Sequence, residues 1–328
     1  MIKILNKNKL KKIFESNYIH IKGGILKRIE KEIKKLKNKK KAEFINFKKQ
    51  LIFLRDNLDF FIIGEIDEIL NFTSRENCFQ NFLYDKKASY LGKKTKLTYG
   101  SKMIYLLGYD SWRGIFSIEL MQKLKVKVCP YCNEHYTYLI NTSGKSKILA
   151  QFDHFLPSST HPYLSMSFFN LIPSCGVCNH NKLKYEFLFL KVNPYLQDKN
   201  LLKFSYRFSG EREKCEEIFL KIDDNFNDGE KRKIYDFYDK LLIKERYNQH
   251  LDIANEISEV SNGNTFDYFF DMHNKFGVSY EEIYKILYGN FFSEIEFVKR
   301  PLSKFMRDLI EELNPDFIEE IKKEMNLI

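Results

Sequence analysis

Two Cys-x-x-Cys pairs, Cys129/Cys132 and Cys175/Cys178, constrain this chain more than any other feature of its sequence. Each pair is a short knuckle, and together they supply four thiolates, enough to close a tetrahedral shell around zinc with no open position. Such a shell contributes folding free energy and offers no site for Lewis-acid catalysis. In a cytosolic chain the pattern points to metal rather than to disulfides. The competing reading, thioredoxin-like redox pairs, needs a strand-to-helix βαβ context that neither pair has. Cys78 and Cys215 stand outside the pattern and read as ordinary buried thiols.

The length of 328 residues corresponds to roughly two domains. With 30 Phe and 20 Tyr the chain can bury a sizeable core, which argues against intrinsic disorder. No apolar run approaches a membrane span; the nearest, Leu58 to Leu70, is interrupted by Asp59, Glu65, Asp67 and Glu68. The lysine-studded N-terminus lacks the apolar core of a secretory signal, so the chain is expected to be soluble and cytoplasmic. Net charge is +10 and unevenly spread. Residues 1–50 carry 17 Lys and Arg against 4 Glu, whereas residues 211–328 carry 17 against 27 acidic residues. A basic N-terminal two-thirds invites a polyanionic partner, although Lys-rich helix faces are often merely solvated.

Periodicity divides the chain into a basic helical region over 1–125, a mixed module over 126–192 and an acidic helical region over 193–328. Apolar spacing predicts a helix from Ile25 to about Leu36 and a second across Phe44 to Leu58, the two forming a hairpin. Tyr136–Ile140 and Ile148–Phe155 are β-prone runs joined by a turn at Asn141–Gly144. Further helices are expected over 229–260, 279–291, 302–313 and 315–327, with Pro301 and Pro315 near two starts. Gly144-Lys145-Ser146 resembles the end of a phosphate loop, but Leu139 stands where its first glycine belongs. An ATP-driven step would need another chain.

The chemistry-bearing residues crowd into Val128–Lys182. Asp153 and His154 are neighbours on a predicted strand, so their side chains point to opposite faces. Pro157 ends that strand. Asn170 precedes a second short apolar run, and Asn179 and Lys182 follow the last cysteine on neighbouring faces of one helical turn. The bland reading is a zinc knuckle that only binds nucleic acid or protein, with Asp153 and His154 as hydrogen-bonding strand residues. The other histidines, His135 among them, lack such company.

The order Cys-x-x-Cys, Asp-His-x-x-Pro, Asn-Leu-x-x-x-Cys-x-x-Cys-Asn-x-x-Lys resembles the HNH endonucleases, over about 55 residues. The resemblance implies a ββα-metal module, a hairpin followed by a helix, carrying a four-cysteine structural zinc. It implies that His154 is the general base for an attacking water and that Asn170 ties down the loop and orients His154. By the same resemblance Asp153 and Asn179 hold a catalytic Mg2+ or Mn2+. Lys182 is implied as a helix-end or phosphate contact. Asn179 stands where the family's namesake pattern has His, and His180 beside it is the other candidate ligand.

The expected fold is therefore α+β and mostly helical, with a small ββα-metal module embedded between helical regions. The expected activity is metal-dependent hydrolysis of phosphodiester bonds in DNA, leaving 5′-phosphate and 3′-hydroxyl ends. Stand-alone chains of this type resemble effectors of bacterial antiphage defence working with a separate ATPase or sensor subunit. Two copies pairing as a homo-oligomer would allow both strands to be cut. The alternative is a non-catalytic zinc-dependent subunit for nucleic-acid binding or scaffolding.

Overall fold

A sparse stripe rather than a broad apolar face sets the first helix. The computed structural model describes residues 2–5, 7–79, 84–90, 93–183, 185–197, 201–209, 214–261 and 265–326. In it α1 runs Lys7–Lys35, with Leu10, Phe14, Tyr18, Ile21, Ile25 and Ile29 along its buried side. The spacing predicts this helix only from Ile25. Gly23-Gly24 and the buried Asn17 and Glu32 dilute the apolar period, and tertiary packing overrides them.

The chain divides into two compact units: one of Leu5–Lys125 with Tyr138–Leu196, the other of Met1–Ile4, Val126–Thr137 and Gln197–Ile328. In the first, α1 packs against α2 (Ala42–Asp56), whose start and end match the expected second helix to within two residues. There follow α3 (Leu58–Ile63), α4 (Ile66–Glu76) and an antiparallel pair, β1 (Lys87–Tyr90) and β2 (Lys93–Thr98). Then come α5 (Tyr99–Leu107) and α6 (Tyr109–Leu124). Gly108 joins the last two at φ +82°, and the Arg28 Nε–H donates to the Leu106 carbonyl across it (2.9 Å).

The centre of this unit is aromatic. Trp112 on α6 is buried and donates through Nε1 to the Asn17 Oδ1 (2.9 Å), which fixes α6 to α1. Phe14 stacks on Phe168 (5.2 Å) and meets Phe169 and Tyr195 edge-on. Two short antiparallel pairs follow. β3 (Leu139–Thr142) pairs with β4 (Lys145–Ile148) around Gly144 at φ +85°, as the turn signal predicts. The second expected run does not continue as one strand. It breaks at Leu149-Ala150, and β5 (Gln151–His154) pairs instead with the distant β6 (Leu171–Ser174), ahead of α7 (Gly176–Lys182).

The other unit holds a feature that the helical reading of 193–328 lacks, the antiparallel pair β7 (Leu202–Phe208) and β8 (Cys215–Ile222). The burial in β7 and β8 partly alternates, a period the acidic composition obscured. The expected helix over 229–260 is divided into α8 (Asp228–Lys240), α9 (Ile243–Tyr247) and α10 (Leu251–Ser261), broken where Leu242 takes φ +54°. α11 (Thr265–Phe276) and α12 (Tyr280–Tyr288) follow, then α13 (Ser303–Leu313) and α14 (Pro315–Glu324), the last three close to their expected positions. Asn133 is bolted to the start of α13: its Oδ1 accepts from Lys304 N (2.9 Å) and its Nδ2 donates to the Phe297 carbonyl (2.9 Å). Among the described residues no helix is long and apolar enough to cross a membrane. The fold is α+β and mostly helical, with small antiparallel sheets.

Candidate active site

The four cysteines are buried, and their Sγ atoms lie within 4.8 Å of one another. Each knuckle folds its backbone toward its own sulfur. Glu134 N donates to Cys132 Sγ (3.4 Å), and Cys178 N donates to Cys175 Sγ at the start of α7 (3.4 Å). Four clustered thiols with amide donors suit zinc, whose bound thiolates are charged. Glu134 and His135 also lie near Cys132, but Arg246 forms an ion pair with Glu134 and stands 3.0 Å from His135 Nδ1. That cation disfavours a second metal at the same spot.

Strand alternation splits the central pair as expected. Phe152 and His154 share one face of β5, against α6: Phe152 meets Trp112 edge-on (4.9 Å) and His154 lies against the Tyr109 ring (4.7 Å). Asp153 faces α7, where the Lys182 Nζ sits 3.2 Å from Oδ2 and 3.3 Å from Oδ1. Lys182 is fully buried and also donates to the His154 carbonyl (2.9 Å). This corrects the expectation for Lys182: its ammonium, without access to solvent, neutralises Asp153 instead of meeting a phosphate. Burial lowers the Lys182 pKa, and Asp153 opposes that shift.

His154 is poised by its other nitrogen. Nε2 stands 3.0 Å from the Ser165 carbonyl, which can only accept, so Nε2 carries the proton and the neutral ring keeps its lone pair on Nδ1. Burial lowers the His154 pKa below 6.5, outweighing the raising effects of the Ser165 carbonyl and Asp153. The imidazole is thus neutral at pH 7.

Asn170 holds the loop that presents Ser165. Fully buried, it accepts from Leu156 N at Oδ1 (2.7 Å) and donates through Nδ2 to the carbonyls of Leu156 (3.1 Å) and Leu164 (3.2 Å). Both ends of the loop between β5 and β6 are clamped by one side chain.

Asn179 is half-buried on α7 and donates through Nδ2 to the Gln151 Oε1 (2.7 Å). With Nδ2 engaged as the donor, Oδ1 is the amide's acceptor. His180 beside it is exposed. Asp153, His154, Asn179 and His180 all line one cleft of about 590 Å³, with Tyr109 and Gln151 at its wall. The pairing of β5 with β6 and the helix after them bring the sequence-predicted residues together, with Asn170 and Lys182 buried behind them.

Three participants were beyond the motif: Tyr109, Gln151 and the Ser165 carbonyl. Gln151 carried a weak signal, since it lies two residues before Asp153 and so shares its face of the strand. Tyr109 and Ser165 carried none, because only tertiary packing brings them to His154. No protein-family model, curated protein or solved structure matches this chain.

Proposed function

We propose that this chain is a metal-dependent endonuclease of the HNH type that hydrolyses phosphodiester bonds in DNA. One observation carries the reading: a neutral histidine with its Nε2 fixed and its Nδ1 available shares a cleft with a carboxylate and the Asn179 side chain.

His154 Nδ1 takes a proton from a water molecule, whose oxygen attacks phosphorus, and the bond from phosphorus to the 3′ oxygen breaks. The products carry a 5′-phosphate and a 3′-hydroxyl. The Ser165 carbonyl keeps the ring oriented and stabilises the imidazolium formed in that step. The oxygens of Asp153 and Asn179 form a hard donor set that fits a magnesium or manganese ion, with Lys182 balancing the carboxylate charge. Such an ion, when bound, neutralises charge developing on the phosphate and the leaving oxygen. The cysteine cluster supplies structure, as a zinc site.

The test is nicking of supercoiled plasmid by the purified chain with magnesium or manganese. Nicking that chelation abolishes, and that His154→Ala lowers at least a hundredfold, is the expected result. Undiminished nicking by His154→Ala would sink the assignment of the base. A chain that binds DNA and never cuts it, even with a separate ATPase or sensor subunit of an antiphage-defence system added, would favour a binding module.

A further inference from the structure

A second cleft of about 550 Å³ adjoins the first and shares Tyr109, Gln151, Phe152 and Asn179 with it. Its own walls come from α6 and from the β4 hairpin strand, which contribute Arg113, Gly114, Ser117 and Lys147. The two clefts differ in charge. The first holds Asp153, whereas among the described residues no carboxylate lines the second, and its two charged side chains are cations. Arg113 lies over the Tyr109 ring (5.9 Å), which holds the guanidinium beside the boundary between the clefts. Both Arg113 and Lys147 are exposed.

Gly114 adds an independent sign. Glycine is among the poorest residues for a helix interior, yet here it lies within α6 on the cleft wall, where an added Cβ would meet nothing within 4 Å. That spot is bare and open, which suits close approach by a ligand backbone.

We infer that this second cleft binds the phosphodiester backbone adjacent to the scissile phosphate, with Arg113 and Lys147 contacting neighbouring phosphates. The inference rests on the endonuclease reading for the position of the scissile bond, while the binding itself depends only on the second cleft. A guanidinium and an ammonium at one site position a strand without reading its bases. A substrate reaching across both clefts would be held against rotation about the reacting phosphate, which raises the fraction bound in attacking geometry.

The experiment uses the full chain and two substrates, a labelled DNA 30-mer and bis(p-nitrophenyl) phosphate, which is too small to span both clefts. The variants are Arg113→Gln with Lys147→Gln, and separately Gly114→Trp, which fills the wall without changing charge. The expected result for the double variant is a loss in kcat/KM at least tenfold larger on the 30-mer than on the small ester, with both a higher KM and a lower kcat on the 30-mer. Binding of the 30-mer, followed by anisotropy in calcium, should weaken about tenfold or more, with a salt slope smaller by about 1 per lost phosphate contact. Gly114→Trp should weaken binding with the salt slope retained. Equal losses on both substrates, or unchanged 30-mer binding and salt slope, would overturn the inference. Failure of the endonuclease reading looks different: neither substrate is hydrolysed by the unsubstituted chain, yet the double variant still loses DNA binding.

Discussion

Lys182 and Asp153 form a pair that neither residue can leave without cost, because both side chains are out of the solvent. Replacing Lys182 by Met keeps the volume and strands a carboxylate, so the substitution should destabilise the chain by about 3–5 kcal/mol at pH 7. Urea unfolding would measure it. Asn170 acts in the opposite sense, through hydrogen bonds that it alone can make. Asn170→Ala leaves the Leu156 amide and carbonyl unpaired and takes one of two donors from the Leu164 carbonyl, and should cost about 2–4 kcal/mol. The small cavity it leaves adds to that.

His154 sets the pH behaviour. Its folded pKa lies below the unfolded 6.5, so protons bind the unfolded chain more readily below that value. The group therefore contributes its full stability above pH 6.5 and loses it as the pH falls toward the folded pKa. The same displacement keeps the imidazole neutral at pH 7. The acid limb of kcat/KM for DNA cleavage should have its midpoint below 6.5, and a midpoint above 7 would exclude His154 as the base.

Among the elements, the junction of α5 and α6 is the one most exposed to a single atom. Gly108 takes φ +82°, and an added Cβ would lie 2.0 Å from the Arg28 guanidinium that caps α5. Gly108→Ala should cost about 2 kcal/mol from the left-handed backbone alone, with the displaced Arg28 adding to it. Thermal unfolding followed by circular dichroism checks the value. Because α6 carries Trp112 and Tyr109 to β5, the same substitution should also lower cleavage more than its stability loss predicts.

Element by element, legibility followed how local the cause was. α13 and α14 were readable because Pro301 and Pro315 mark their starts and their apolar residues recur at helical spacing. β3 and β4 were readable from a turn of four residues. β5 was recognised as extended but given the wrong partner: its ladder to β6 depends on the clamp at Asn170, which periodicity cannot show. The site divides in the same way. Asp153, His154, Asn170 and Asn179 came from a linear motif, whereas the burial of Lys182 and the arrival of Tyr109 depend on packing between elements.

At the scale of the whole chain, the cysteine cluster supports a structural zinc, and about one ion per chain is expected by metal analysis. Cys175→Ser should abolish that stoichiometry and lower the melting temperature, as should prolonged chelation of the unsubstituted chain, because metal binding and folding are linked. A melting temperature unmoved by either would mean that the thiols serve another purpose.

The second unit gathers residues from both ends of the chain and from Val126–Thr137 between them, whereas the first is complete once Leu196 is in place. A ribosome delivers those pieces in a fixed order. The knuckle at Cys129 emerges long before α13, whose Lys304 N–H donates to the Asn133 Oδ1. The first unit can therefore mature during synthesis, while the second must wait until the helices after β8 have been made. On arrested nascent chains, resistance to protease should appear over Trp112 and β5 well before it appears over β7 and β8.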